Sequence, residues 1–334
     1  MANMKRAGAP IDVINAAVPV LEAKLGAYYS EVEVSEEAPN LGPLINLQGA
    51  WTGKGFSILT LPHQQDPNQK FTLMMNATIE NTVFTPISGA IPDRGNIQPD
   101  IFYLGLTYLQ QVSDANTLEG IHVEPGIFLN LPANSVQTIP SVCRMATIPH
   151  GDAVLAQGTY FTADGPPQFA VADPTPFQLD NNGKRVNDTS ASYLAPFKNT
   201  PPPDGISSEA IMNPNILLQN YIDNITQQGH KVVSTTVFQV NATPQGQIAD
   251  VPPFSYDPLL PGGINNIPFV EANANATSLS AIFWINTVQA PGNVIYLLLQ
   301  YSQTVLLDFP VPAPGGGTVD LFWPHIAVAN LIKR

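Results

Sequence analysis

Two histidine positions are candidates for chemistry, because an imidazole transfers protons and binds metals near neutral pH. His150 and Asp152 flank Gly151 in a predicted turn, a spacing that can set an imidazole beside a carboxylate as an oriented acid–base pair. The alternative is a turn in which the aspartate bonds its own backbone. His122 lies within a predicted strand, where it faces either the interior or solvent according to the register.

The sequence lacks the short motifs of several common enzyme classes. It contains no Gly-x-Ser-x-Gly nucleophile elbow, no His-Glu-x-x-His zinc helix and no Gly-x-x-x-x-Gly-Lys phosphate loop. Cys143 is the only cysteine, and its neighbour Arg144 would face the opposite side of a strand, so the charge need not lower the thiol pKa. We therefore expect Cys143 to be an inert core thiol.

The composition is that of a weakly charged, acidic chain. Charged residues make up 12% of the sequence, the net charge is −13, and only 13 lysines and arginines are spread over 334 residues. Such sparse positive charge cannot build a dense phosphate-binding surface, so nucleic acid is not an expected partner. Low charge with 44% hydrophobic residues is typical of self-associating chains, and we expect a homo-oligomer.

The cellular setting is predicted from cysteine content and hydropathy. A single cysteine excludes an internal disulfide, which suits a reducing compartment. No stretch approaches the roughly 18 apolar residues of a membrane helix, and the N-terminal residues lack the clean apolar run of a signal peptide. The sequence therefore predicts a soluble, cytoplasmic protein without a membrane span.

Short apolar or alternating segments, separated by proline, glycine and asparagine, dominate the chain and predict a mainly β fold. We expect strands near residues 49–61, 71–84, 101–111, 120–129, 141–148, 153–161, 231–240, 277–288, 294–307 and 326–332. Apolar residues at steps of three and four predict an amphipathic helix over 11–29, and a partial stripe predicts another over 211–225.

Four motifs occur along the chain in the order found in a known group of barrels. They are Leu41-Gly42-Pro43-Leu44 with Leu47-x-Gly49-x-Trp51-x-Gly53-x-Gly55-Phe56, then Leu118-Glu119-Gly120-Ile121-His122-Val123-Glu124-Pro125-Gly126, then Ile148-Pro149-His150-Gly151-Asp152, and last Trp323-Pro324-His325-Ile326-Ala327-Val328-Ala329. Over roughly residues 41–161 and 277–334, the chain resembles the nitrobindin-like and lipocalin-like (fatty-acid-binding-protein-like) β-barrel proteins. Alternate glycines allow the first strand to bend at a barrel corner, and Trp51 can fill the closed end.

The resemblance implies a closed antiparallel β-barrel with its site inside. In nitrobindin-like proteins a histidine near the C-terminus binds haem iron, and His325 takes that position, which makes it the expected ligand of the iron of haem b. Trp323, Trp51, Phe56 and His122 are the other residues expected to bind the cofactor. A neutral imidazole suits this role when its second nitrogen is held by a carbonyl or carboxylate. The alternative for His325 is a hydrogen-bonded histidine at the barrel rim.

The patterns and the resemblance together divide one domain into four stretches. Residues 1–40 form an N-terminal helical arm and linker, 41–162 the first barrel strands, 163–276 a loop-rich insertion with a short helix, and 277–334 the last barrel strands. Loops of this length usually act as lids or interface elements. The insertion is therefore expected to cap, narrow or replace the mouth of the pocket.

The expected function is the binding of haem or another hydrophobic small molecule inside the barrel, with peroxide or nitrogen-oxide chemistry following from the resemblance. A second hypothesis is a cofactor-free isomerase or lyase that uses His150 and Asp152. A third is a self-assembling structural protein, in which the N-terminal arm bridges subunits; low charge and long loops favour it.

Overall fold

The computed structural model describes residues 38–62, 71–87, 89–96, 98–131, 133, 140–181, 184–187, 191–242, 263–312 and 316–334. The predicted helix over 11–29 lies outside the described residues. Among the described residues, no helix is long and apolar enough to cross a membrane.

Ten long strands close into an antiparallel β-barrel, as the sequence predicts. Each strand pairs with the next along the ring, and the last strand pairs back with the first through residues 51–58 and 326–333. In ring order the strands are β1 (Gly49–Pro62), β2 (Phe71–Pro86), β4 (Ile101–Asp114), β5 (Gly120–Leu131), β6 (Ser141–Ile148), β7 (Asp152–Asp164), β10 (Lys231–Ala242), β12 (Asn275–Gln289), β13 (Ile295–Pro312) and β14 (Thr318–Lys333).

Four shorter strands pair with strands of the barrel or with one another. Strand β3 (Ile91–Asp93) pairs with β4, and β11 (Gly263–Asn266) pairs with β7. A hairpin of β8 (Phe177–Leu179) and β9 (Arg185–Asn187) pairs with β14. The helices are α1 (Ala191–Asn199), α2 (Ile216–Gln227) and α3 (Pro268–Asn273), with 3-10 segments at Ala38–Asn46 and Ser208–Ile211.

The range 163–276, expected to be an insertion, also contains β10, which is a full member of the barrel. The inserted chain is therefore split by β10. The predicted helix over 211–225 is observed as α2, which begins after Pro214 and Asn215 and continues to Gln227. Proline disfavours helical geometry at the residue before it, so a regular helix begins only after Pro214.

Helix α2 packs on the outside of the barrel. Its buried residues Leu218, Ile222 and Ile225 follow the spacing of one helical face. Ile222 and Ile225 contact Val232, Val288 and Leu298 of the barrel strands. Gln300 on β13 also donates a hydrogen bond from Nε2 to the Leu218 carbonyl over 3.0 Å. Several strands are consequently buried on both faces.

One end of the barrel is closed by the 3-10 segment Ala38–Asn46. Leu41, Leu44 and Leu47 are buried in the core of the lumen, and the indole N–H of Trp51 donates to the Leu47 carbonyl over 2.6 Å. This bond ties the start of β1 to the segment that covers it. The expectation that Trp51 fills the closed end agrees with this position.

Candidate functional site

The barrel interior contains a layer of hydrogen-bonded polar side chains. Two buried carboxylates accept most of its hydrogen bonds, and the first is that of Glu80 on β2, which is 2% exposed. Its carboxylate accepts hydrogen bonds from the Tyr301 hydroxyl over 2.7 Å, from Thr78 over 3.0 Å and from Gln110 over 3.2 Å. Burial raises the pKa of Glu80 above its ordinary value, although these hydrogen bonds oppose the rise.

The second buried carboxylate of the layer is that of Glu124 on β5. Arg144 Nη2 lies 2.5 Å from Glu124 Oε1, and the Tyr108 hydroxyl donates to the same oxygen. Burial alone would raise the pKa of Glu124, but the Arg144 charge and the hydrogen bonds to the carboxylate outweigh it and lower the pKa to about 2. The environments of Glu80 and Glu124 thus push two carboxyl pKa values apart, a common property of acid and base pairs.

Arg144 joins the layer to the opposite wall. It is 3% exposed, donates from Nε to the Tyr108 hydroxyl over 3.0 Å, and donates from Nη1 to Gln303 on β13 over 2.6 Å. A buried guanidinium with each of its groups engaged holds its neighbours in one geometry. The layer is therefore a fixed floor within the lumen.

On the closed-end side of this floor, the lumen is filled. The cavity there measures only about 20 Å³ and lies among Phe84, Phe128, Phe283, Leu299 and Leu331. A void of this size holds one water molecule at most. Any ligand of the lumen must therefore bind on the other side of the floor, toward the open end.

Three of the five histidines of the chain lie at that open end. His122 on β5 and His150 in the turn after β6 have ring centroids 6.2 Å apart. His325 on β14 pairs with Val305 of β13. Burial, together with charge repulsion from the nearby His122 and His150, lowers the pKa of His325 to about 4. The His325 imidazole is therefore neutral at pH 7.

The open end forms a basin above the polar floor. Ile148, Val305 and Ala327 pack against the lumen core, yet each keeps part of its surface accessible, as do His122 and His325. These inward-pointing side chains are therefore reached by solvent from the open end of the barrel. We name the part of the open end that these five residues line the mouth basin.

His150 and Asp152 lie at the rim of the mouth basin. His150 is exposed, and Asp152 begins β7 opposite Ile148. Asp152 Oδ1 is buried without a hydrogen-bond partner among the described residues. Burial raises the pKa of Asp152, and the charge of His150 partly opposes this rise. The two side chains are thus electrostatic neighbours, but Asp152 Oδ1 makes no hydrogen bond to the imidazole.

The structure separates the aromatic residues that were expected to bind the cofactor. Trp51 lies at the closed end, away from the mouth basin. Phe56 and Trp323 belong to a hydrophobic cluster separate from that of the lumen core, together with Phe71 and with residues of the insertion such as Phe197. The Trp323 ring lies 4.7 Å from that of Phe71 and is stacked on that of Phe197 at 6.2 Å. Of the predicted residues, the structure brings together His122, His150, Asp152 and His325.

The polar floor was not predicted. Neither Arg144, which follows Cys143 in a predicted strand, nor Glu80 is part of a recognisable sequence motif. The available signal was a single charged residue within each apolar strand, since a buried charge is rare unless it is paired. Cys143 itself is buried, and burial raises its pKa to about 11, which agrees with an inert thiol.

The described residues contain no group of three or more histidine, cysteine, aspartate or glutamate side chains that could hold a metal ion. The three histidines of the open end therefore do not form a ready metal centre. A metal held here would have to bring its own ligands, as haem iron does, and take one from the protein.

Comparison with known proteins gives limited information. No protein-family model matches the chain, and no curated protein does. Among solved structures, the crystal structure of Rv2717c from M. tuberculosis is similar over 89% of this chain and 98% of that one, with 14% sequence identity and a TM-score of 0.36. What the structure itself shows is a mainly β protein built on a closed antiparallel barrel of ten strands.

Proposed function

We propose that the mouth basin binds haem b or another apolar small molecule, with His325 as the residue that contacts it through nitrogen. The observation that carries the proposal is the position of His325. It shares a face of β14 with Ala327, which packs against the lumen core, it is only partly buried, and its cross-strand partner is the apolar Val305. An apolar basin with a few polar groups in fixed positions is the usual form of a small-molecule site.

The side chains of the mouth basin are of the types that hold haem b, a neutral histidine among apolar residues. A neutral imidazole offers a lone pair to iron, whereas a protonated one does not. His325 would hold the iron, Ile148 and Val305 would contact the macrocycle, and His122 with His150 would supply polar groups near it. The iron of a bound haem supplies reactivity toward peroxide or nitrogen oxides, as the resemblance implies. The polar floor keeps the ligand out of the closed end.

The test is a titration of the purified protein with haemin, followed by absorption spectroscopy. We expect one haem per chain and a sharp Soret band, and we expect His325→Ala to lose the band or bind at least tenfold more weakly. His230→Ala is the matched control, because His230 ring nitrogen Nδ1 bonds the Tyr296 hydroxyl over 2.9 Å, in a cluster outside the lumen. A band unchanged by His325→Ala would refute the assignment of His325.

A cofactor-free isomerase or lyase that uses His150 and Asp152 is the second candidate. The unpartnered Oδ1 of Asp152 beside His150, at the rim of an apolar basin, favours it. The experiment is an NMR titration of the Asp152 carboxyl before and after His150→Gln. Loss of the imidazole should raise the pKa of Asp152 further, because His150 opposes the rise, and an unchanged titration would show that the pair is not coupled.

Self-assembly is a third candidate, and one feature of the outer wall favours it. Val83 on β2 and Leu109 on β4 are directly paired, face outward, and are 48% and 42% exposed. Adjacent exposed apolar side chains of this kind often mark an interface. Light scattering on the purified protein and on Leu109→Lys tests this, since a wild-type protein that is monomeric at every concentration contradicts it.

A further inference from the structure

A second cavity lies outside the barrel, between its wall and the inserted chain. It has a volume of about 820 Å³, within the range of roughly 300–1,000 Å³ that small-molecule sites occupy. On the barrel side it is lined by outward-facing residues of β10, β12 and β13. On the other side it is lined by residues 170–173 and by Phe177, Arg185 and Asn215. We name it the outer-wall cavity.

The barrel side of this cavity combines apolar and neutral polar side chains. Val237, Ile282 and Trp284 supply apolar surface next to Leu306. Between them lie the neutral hydrogen-bonding groups of Gln239, Ser280, Ser302 and Thr304. These residues alternate along each strand with the inward residues of the lumen core, so the same strands line two separate spaces. A mixed wall of this kind suits an amphiphile.

Two of the three charged groups of the wall, Arg185 and Asp173, are matched to one another, and the third, Lys184, is exposed to solvent, where a charge contributes little. Arg185 Nη2 lies 2.7 Å from Asp173 Oδ2 and 3.3 Å from Thr175 Oγ1, and its guanidinium covers the Phe177 ring at 4.4 Å. A guanidinium that is already paired and stacked offers little to an anionic ligand. The electrostatics of the cavity wall therefore favour an uncharged ligand.

One buried acceptor in the cavity wall has no partner. Asn215 is 6% exposed, and its Nδ2 donates to the Ala170 carbonyl over 2.8 Å, which fixes the orientation of the amide. Its Oδ1 is buried and makes no hydrogen bond within the described residues. A buried acceptor left without a donor is costly, and a donor on a bound molecule would remove that cost.

We propose that the outer-wall cavity is a second ligand site, which takes an uncharged amphiphile with an aromatic or aliphatic body and at least one hydroxyl or amide donor directed at Asn215. Trp284, Ile282 and Val237 contact the body of the ligand. Ser280, Ser302 and Thr304 serve its remaining polar atoms. The site is independent of the mouth basin, because the barrel wall stands between the two spaces.

The experiment compares bisphenol A with its dimethyl ether by isothermal titration calorimetry. The two probes have the same aromatic body, and only bisphenol A carries hydroxyl donors. We expect one molecule of bisphenol A to bind per chain and the ether to bind at least tenfold more weakly. The variant Asn215→Leu should weaken the binding of bisphenol A and leave that of the ether unchanged, because only the first probe uses the amide oxygen.

Two further variants locate the binding. Ser280→Trp fills the cavity from the barrel side and should abolish binding, whereas Thr107→Trp places the same side chain on the exposed outer face of β4 and should have no effect. Thr304→Trp is a second filling variant, and circular dichroism melting confirms that each variant is folded. Ala327→Phe narrows the mouth basin and should leave binding intact. Absence of binding, equal affinity for both probes, or binding that survives both filling variants would overturn the proposal.

Discussion

Arg144 Nη2 and Glu124 Oε1 lie 2.5 Å apart inside the barrel, with both side chains almost completely buried. A buried ion pair is not by itself strongly stabilising, but removal of one partner leaves a charge without compensation. We therefore predict that Glu124→Gln lowers the free energy of unfolding by about 3–5 kcal/mol at pH 7 in urea titrations. Glu119→Gln, at an exposed carboxylate, should change it by less than about 0.5 kcal/mol.

The ion pair between Arg144 and Glu124 also predicts that the stability of the protein falls at acid pH. The pKa of Glu124 is about 2 in the folded protein, below its ordinary value of 4.5. The contribution of Glu124 to stability is therefore complete above pH 4.5 and is lost as the pH falls from about 4.5 toward 2. This contribution amounts to roughly 3 kcal/mol. Urea titrations between pH 7 and pH 2 should show this loss in the wild type and a flatter profile in Glu124→Gln. Parallel profiles would contradict it.

Asp308 on β13 predicts the opposite dependence of stability on pH. Burial, with some repulsion from Asp320, raises its pKa to about 6, and its Oδ1 has no hydrogen-bond partner among the described residues. A carboxyl whose pKa is higher in the folded state favours folding below pH 3.8, and this contribution is lost as the pH rises through about 6. Because the side chain is only partly buried, we expect Asp308→Asn to stabilise the protein by about 1–2 kcal/mol at pH 7.5 and to have little effect at pH 3.5. A thermal melt at both values checks this, and equal effects would refute it.

Two of the three buried tryptophans, Trp51 and Trp323, allow a matched comparison. Trp51 donates to the Leu47 carbonyl, whereas Trp323 Nε1 is buried with no partner among the described residues. Both Trp→Phe changes remove similar apolar surface, but only Trp51→Phe leaves a buried carbonyl unsatisfied. Trp51→Phe should therefore cost about 1–3 kcal/mol more than Trp323→Phe in chemical denaturation. Equal costs would show that the bond contributes nothing to the closed end.

The glycines of β1 are required by close strand contact. A Cβ atom on Gly53 would lie 1.9 Å from the Asn330 carbonyl oxygen, a backbone atom that no rotamer change can move. We expect Gly53→Ala to destabilise the protein by about 2–4 kcal/mol or to prevent barrel closure. Gly120→Ala is the control, because nothing lies within 4 Å of its added Cβ. Similar melting temperatures for the two variants would contradict this account.

The strands were predictable because their apolar segments end at strong turn residues. Each of the ten predicted segments overlaps a barrel strand, and 141–148 agrees at both ends with β6. The largest error concerns β14, which begins at Thr318 rather than near residue 326. Pro324 in the middle of that segment resembles a strand breaker, but it pairs with Leu306 within the ladder.

The candidate site was only partly predictable. His122, His150 and His325 were selected as separate residues, and only the ring order of the strands shows that they share one end of the barrel. Phe56 and Trp323 were expected in the pocket because large aromatic residues suit either side of a strand that is buried on both faces. A period of two distinguishes the two faces but does not say which face is the interior.

The pairing of β1 with β14 gives the barrel a seam between the two strands that lie farthest apart in the chain. Before β14 has been synthesised, β1 and β13 are both open edges, and such edges recruit strands from other molecules. Pairing between distant segments is also slow, since the chain must lose much of its freedom before any contact forms. Closure of the seam consequently requires β14, and a chain that stops short of β14 is exposed to aggregation along both edges.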